Sequence, residues 1–107
     1  MWRRLKASLL AERIPVSHGG VVGQVWRGAG PRQARLSKAL EGIDVRPLDE
    51  RLGRSAGELL GRAGRTDVID AAVVLLAEDG DQIVTTDVDD LRPLAVLVDR
   101  QIELIGA

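Results

Sequence analysis

The side chains best suited to chemistry lie in the second half of the chain, and they are carboxylates. Asp67 and Asp70 open an apolar run that continues Ala71-Ala-Val-Val-Leu-Leu-Ala77, while Asp87, Asp89 and Asp90 follow Ile83-Val-Thr-Thr86 directly. A three-residue offset sets Asp67 and Asp70 on neighbouring faces of one helix. Asp70 borders the stripe of Ile69 and Val73, so it is expected to point toward a sheet and not into open water. Any one of these acids has an ordinary reading, because aspartate in a first helical turn satisfies free N–H groups and the helix dipole. Convergence changes the argument. If the helix bearing Asp70 packs beside the strand ending at Asp87, three or more carboxylates share a pocket and raise one another's pKa unless a cation sits between them. Oxygen-only ligands, with no cysteine and a single histidine, suit Mg²⁺ or Mn²⁺. Such a centre suits metal-assisted phosphodiester hydrolysis.

Composition narrows the setting. The 107 residues suffice for one domain, taken as 1–107, with one core. Trp2 and Trp26 are the only aromatics, so Leu, Val, Ile and Ala must build that core. A net charge of −1 supplies no global field toward nucleic acid, and any such binding must come from a local patch. The absence of cysteine excludes disulfides, thiolate nucleophiles and Cys-type zinc sites. No apolar run reaches the roughly 20 residues of a membrane span. The opening MWRRLKASLLAER lacks a signal-peptide core. A cytoplasmic location with no membrane contact is the expectation.

The elements that must position the acids follow from periodicity and punctuation. Trp2, Leu5, Leu9 and Leu10 predict an amphipathic helix to about Arg13, and Ile14 to Ser17 a short strand. Ser17 is expected to cap a helix from His18 to Arg27 with Val21, Val22 and Val25 inward. Pro31 to Leu40 reads as a third helix, with Pro31 in its first turn. Ile43 to Leu48 alternates as a strand. Asp49 is the expected N-cap of a helix through Leu60, closed by Gly61 and Gly64. Thr66 is expected to cap the helix bearing Asp70, whose stripe is Ile69, Ala72, Val73 and Leu76, and Gly80 to end it. A strand at Gln82 to Thr86, a helix from Asp89 to Val98 and a strand at Gln101 to Ile105 complete the order. Strands alternating with helices predict an α/β domain with a mainly parallel sheet.

The run Thr66-Asp-Val-Ile-Asp-Ala-Ala72, then Gly80, then Ile83-Val-Thr-Thr-Asp-Val-Asp-Asp-Leu91, resembles the C-terminal half of PIN domains of the VapC toxin type. Val21 to Arg27, Arg32 to Arg35 and Val45 to Asp49 are similar to the second helix, third helix and following strand of its actinobacterial branch. The similarity covers nearly the whole chain. It implies a PIN-like (Rossmann-like) three-layer α/β domain, a central sheet flanked by helices, and a Mg²⁺- or Mn²⁺-dependent endoribonuclease of the toxin–antitoxin type. By position it makes Asp70 and Asp87 metal-site carboxylates and Asp90 a supporting acid. Asp67 is similar to an extra acid of that branch, and Thr85 to the polar residue that helps order the site. Two departures accompany the likeness. The family opens with a strand ending in a ligand aspartate, and this chain is expected to start after it, lacking that first strand. Where the second helix usually offers Glu, Gln24 offers an uncharged amide oxygen.

Arg27, Arg32, Arg35 and Lys38 are expected to line an RNA path or form a solvated face. His18 reads as a first-turn helix residue, and Trp26 as a core or interface anchor more readily than a platform for bases. Trp2, Leu5 and Leu9 would form an exposed stripe for a dimer or antitoxin surface. The implied partners are RNA, a small antitoxin and a second copy of the chain. The alternative is a non-catalytic PIN remnant that binds an antitoxin or dimerises. A doubly wound small-molecule domain ranks last, since no glycine fingerprint follows a strand.

Overall fold

The structure is a computed structural model that describes residues 2–4 and 15–106. In it, short strands alternate with helices, and the chain is an α/β protein. The strands are β1 (Trp2–Arg4), β2 (Val16–His18), β3 (Asp44–Arg46), β4 (Gln82–Thr85) and β5 (Glu103–Gly106). The helices are α1 (Gly19–Val25), α2 (Pro31–Leu40), α3 (Glu50–Ala63), α4 (Val68–Leu76) and α5 (Val88–Ala95).

The sheet order is β3-β2-β1-β4-β5. β2 pairs with β3, and β4 with β5, in parallel. β1 is antiparallel to both β2 and β4, so the other four strands share one direction. This corrects the expected helix at Trp2, whose remaining stretch from Leu5 to Arg13 lies outside the described residues. The physical reason is the demand of β2 and β4 for hydrogen-bond partners on their facing edges, which outweighs a local helical period. Trp2, Arg3 and Arg4 meet Val84, Ile83 and Gln82 in register. β1 carries no aspartate.

The core sits where α3, α4 and α5 pack together and α4 rests on β1 and β2. Ile83, Leu91, Leu94, Val21 and Val74 are fully enclosed there. α4 is apolar nearly all round: Ala71, Ala72, Val73 and Val74 are all buried, a wider face than the predicted stripe. A short helix in contact with both helices and strands has little surface left for water.

Several boundaries move for local reasons. α1 is capped by His18 in place of Ser17, the ring accepting from the Gly20 N–H at 3.0 Å. Asp67 displaces Thr66 as the cap of α4, accepting from the Ile69 and Asp70 N–H groups at 3.0 and 3.1 Å. Asp49 caps α3 as expected, through the Leu52 N–H at 2.9 Å. Gly61 lies inside α3, and Gly64 alone ends it, at φ 65° in the left-handed region that favours glycine. α4 stops at Leu76, before Gly80. α5 begins at Val88 and ends at Ala95, short of the expected Val98.

α2 stands apart from this core, to which α1 contributes Val21. No residue of α2 is buried. Val25, expected inward, and Trp26, expected as a core or interface anchor, are 39% and 40% exposed. Their helix ends at Val25, because Trp26 turns to extended backbone and the chain leaves the sheet.

Candidate functional site: a carboxylate cluster

Two elements bring the acids together. α4 supplies Asp70 in its first turn and Asp67 at its cap, and the end of β4 supplies Asp87 as the chain turns into α5. Asp70 is 4% exposed, as its place beside the apolar stripe predicts, and its Oδ1 is buried without a hydrogen-bond partner. Burial, followed by the negative charges of Asp67, Asp87 and Asp90, pushes the Asp70 carboxyl up to about 6. Three acids up to 20 positions away in sequence therefore act on Asp70 in space.

The four are not equivalent. The Asp67 carboxylate is engaged with two backbone N–H groups and so has a structural duty. Asp87 occupies the cap position of α5 without capping it through its side chain, which leaves that carboxylate available. Thr85, buried at the end of β4, accepts from the Asp87 N–H at 3.0 Å and fixes the turn that presents Asp87. Asp87 and Asp90 are exposed, on the solvent side of Asp70. Gln24 is exposed on α1 and makes no hydrogen bond to these acids among the described residues. Arg27, Arg32 and Arg35 belong to the α1–α2 segment and lie outside the cluster.

An oxygen-only set with an orphaned buried carboxylate oxygen suits a hard cation. Among the described residues, however, no three of His, Cys, Asp and Glu stand close enough to hold one together. The two observations agree for Mg²⁺, which commonly takes one or two protein carboxylates and keeps water and phosphate oxygens for its remaining positions.

His18 is the residue that sequence reasoning undervalued. It is fully buried, and its Nε2 lies 3.0 Å from the Ile69 carbonyl oxygen while Nδ1 accepts from Gly20. A carbonyl only accepts, so the ring is neutral with its proton on Nε2. Burial holds His18 below its ordinary pKa, against the opposing pull of the Ile69 carbonyl. The ring thus joins the start of α1 to the peptide next to Asp70. Gly20 is needed for this approach: a Cβ there would stand 2.8 Å from His18 Cε1 and 3.1 Å from Ile69 Cγ1. The readable signal was a lone histidine two residues before a glycine at a helix start.

No helix among the described residues is long and apolar enough to cross a membrane. Compared with known proteins, the chain matches no family model, no curated protein and no solved structure.

Proposed function

We propose that this chain is a PIN-like, three-layer domain of the VapC toxin type, a Mg²⁺- or Mn²⁺-dependent endoribonuclease acting in the cytoplasm and held in check by a small antitoxin. The observation that carries the reading is Asp70: a buried carboxylate with an unpartnered oxygen, amid Asp67, Asp87 and Asp90. When bound, the divalent ion would supply an activated water and offset charge developing on a phosphate. Asp70 and Asp87 would hold the ion, and Asp90 would orient its water shell. Thr85 keeps Asp87 in place through the Asp87 N–H, and Asp67 fixes the first turn of α4.

Incubation of the chain with end-labelled RNA and Mg²⁺ or Mn²⁺, beside Asp70→Asn and Asp87→Asn, tests this directly. Cleavage by the wild type and a loss of at least about 100-fold in each variant are expected. Cleavage that ignores both substitutions would overturn the site.

A second reading has its own support. β1 carries no acid and Gln24 adds no charge, so the cluster holds fewer carboxylates than the resemblance implies. The chain would then be a non-catalytic module that binds an antitoxin or forms a homodimer. Absence of cleavage by every form, with no rise in melting temperature on adding Mg²⁺, would favour it.

A further inference from the structure

The α1–α2 segment differs in charge from the rest of the molecule. Between Pro15 and Leu40 there are four basic residues, Arg27, Arg32, Arg35 and Lys38, and no acid, in a chain whose net charge is −1. All four are exposed, and among the described residues none of them forms an ion pair. Their positive charge is therefore not spent within the fold.

This segment is also shaped and held. A cavity of about 660 Å³ opens between the end of α1 and the start of α2, with Arg27 and Arg32 among its lining residues beside Val25 and Leu36. The connecting loop is pinned by Gln33, whose Oε1 accepts from the N–H groups of Arg27 and Gly28 at 2.7 and 3.0 Å. Gly28 and Gly30 take φ of 94° and 103°, which lets the chain double back within a few residues. Trp26 sits on this pinned corner, 40% exposed, with its carbonyl accepting from Arg27 Nη1 at 2.9 Å.

We infer that the α1–α2 corner is a docking surface for single-stranded nucleic acid, with Trp26 stacking on a base and Arg27, Arg32 and Arg35 meeting the phosphates. It deepens the proposed function by assigning the surface that holds the strand, yet it does not depend on cleavage. Charge complementarity names a polyanion as the occupant. An exposed indole beside guanidinium groups that form no ion pair among the described residues selects a strand with bases over an acidic protein segment, because bases add π-faces that carboxylates lack.

The test measures binding of a labelled oligouridine to the full chain by fluorescence anisotropy, in chelator so that no cutting occurs. Three phosphate contacts at a slope of about 0.7 each predict an affinity loss of roughly 20-fold between about 50 and 200 mM salt. Trp26→Ala should weaken binding by about 5- to 100-fold. The exposed pair Arg32→Glu/Arg35→Glu should weaken it at least about tenfold and flatten the salt dependence. Circular dichroism confirms that each variant keeps its fold.

Polyglutamate of matched charge is the control. If it binds as tightly as the oligouridine, and with the same loss on Arg32→Glu/Arg35→Glu, the surface serves an acidic protein partner and the inference is overturned. Equal binding by wild type and both arm variants overturns it too. RNA cleavage that survives with unchanged affinity in Trp26→Ala would sink the docking surface while leaving the ribonuclease reading intact. Binding without cleavage would do the reverse.

Discussion

Replacing Asp70 by Asn should stabilise the protein at neutral pH and have little effect in acid. In the unfolded chain this carboxyl titrates near its ordinary 3.8, and in the fold it is pushed up to about 6. Between those values the folded state keeps a proton that the unfolded chain has lost, so stability falls as pH rises through the window. Above it the whole cost is present. Two pK units at 1.36 kcal/mol each give about 3 kcal/mol, and screening by solvent around the exposed Asp87 and Asp90 reduces the expectation to about 1–3 kcal/mol. For a domain of this size that corresponds to a rise in melting temperature of roughly 5–15 °C. Calorimetric melts of wild type and Asp70→Asn at about pH 7.5 and about pH 3 supply the comparison. His18 has the opposite sign: its pKa is lowered by burial, so its contribution is present above its ordinary 6.5 and is lost as pH falls through the folded value. The informative quantity is therefore the difference between variant and wild type, in which His18 cancels. A gain at neutral pH that disappears in acid is expected. An equal change at both pH values, or a loss at neutral pH, would refute the account of Asp70 as a carboxylate held against its neighbours.

Three further outcomes follow from the same geometry. Mg²⁺ at about 10 mM should raise the melting temperature of the wild type at neutral pH by several degrees, with less effect in Asp87→Asn; an unchanged wild type would count against any cation at the cluster. Gly20→Ala should cost about 1–3 kcal/mol in denaturant titrations, because its Cβ meets the His18 ring and Ile69; a neutral result would mean that the contact between His18 and α4 yields easily. Asp49→Ala removes the cap of α3 and should cost about 1 kcal/mol, whereas Asp49→Asn should recover most of it; equal losses in the two variants would show that capping is not the cause.

Much of the α/β architecture was legible in periodicity. α2 has its predicted bounds, and Asp49 its predicted duty, because both rest on local chemistry: proline in a first turn, and a carboxylate before unpaired N–H groups. The nearness of Asp87 and Asp90 to Asp70 is felt in its raised pKa, but no three acids among the described residues close on one point, and the sheet is mixed where a mainly parallel one was expected. What escaped was set by distant partners. β1 is a strand because β2 and β4 need its hydrogen bonds, which nothing at Trp2 announces. His18 caps α1 and reaches Ile69 across 51 positions, a contact that no local pattern encodes. Thr66 was the expected cap of α4, and Asp67 takes that place because its carboxylate reaches the Ile69 and Asp70 N–H groups. Trp26 was expected as a core or interface anchor, and the end of α1 leaves it 40% exposed, outside the core.

The sheet order has a mechanical meaning for the carboxylate cluster. β3 and β2 form one parallel pair and β4 and β5 another, and among the described residues the strand bonded to both pairs is the three-residue β1. α4 lies across this seam, in contact with β1 and β2 and bearing Asp70, while Asp87 hangs from β4 on the far side. The sheet is thus two plates joined by a short zip, with α4 as a brace bolted over the joint. Any slackening of the zip would alter the gap between Asp70 and Asp87 before it disturbed either plate. The spacing of the acids is then a property of the joint, and the His18 contact with Ile69 fixes α4, and with it Asp70, to the β2 side of that joint.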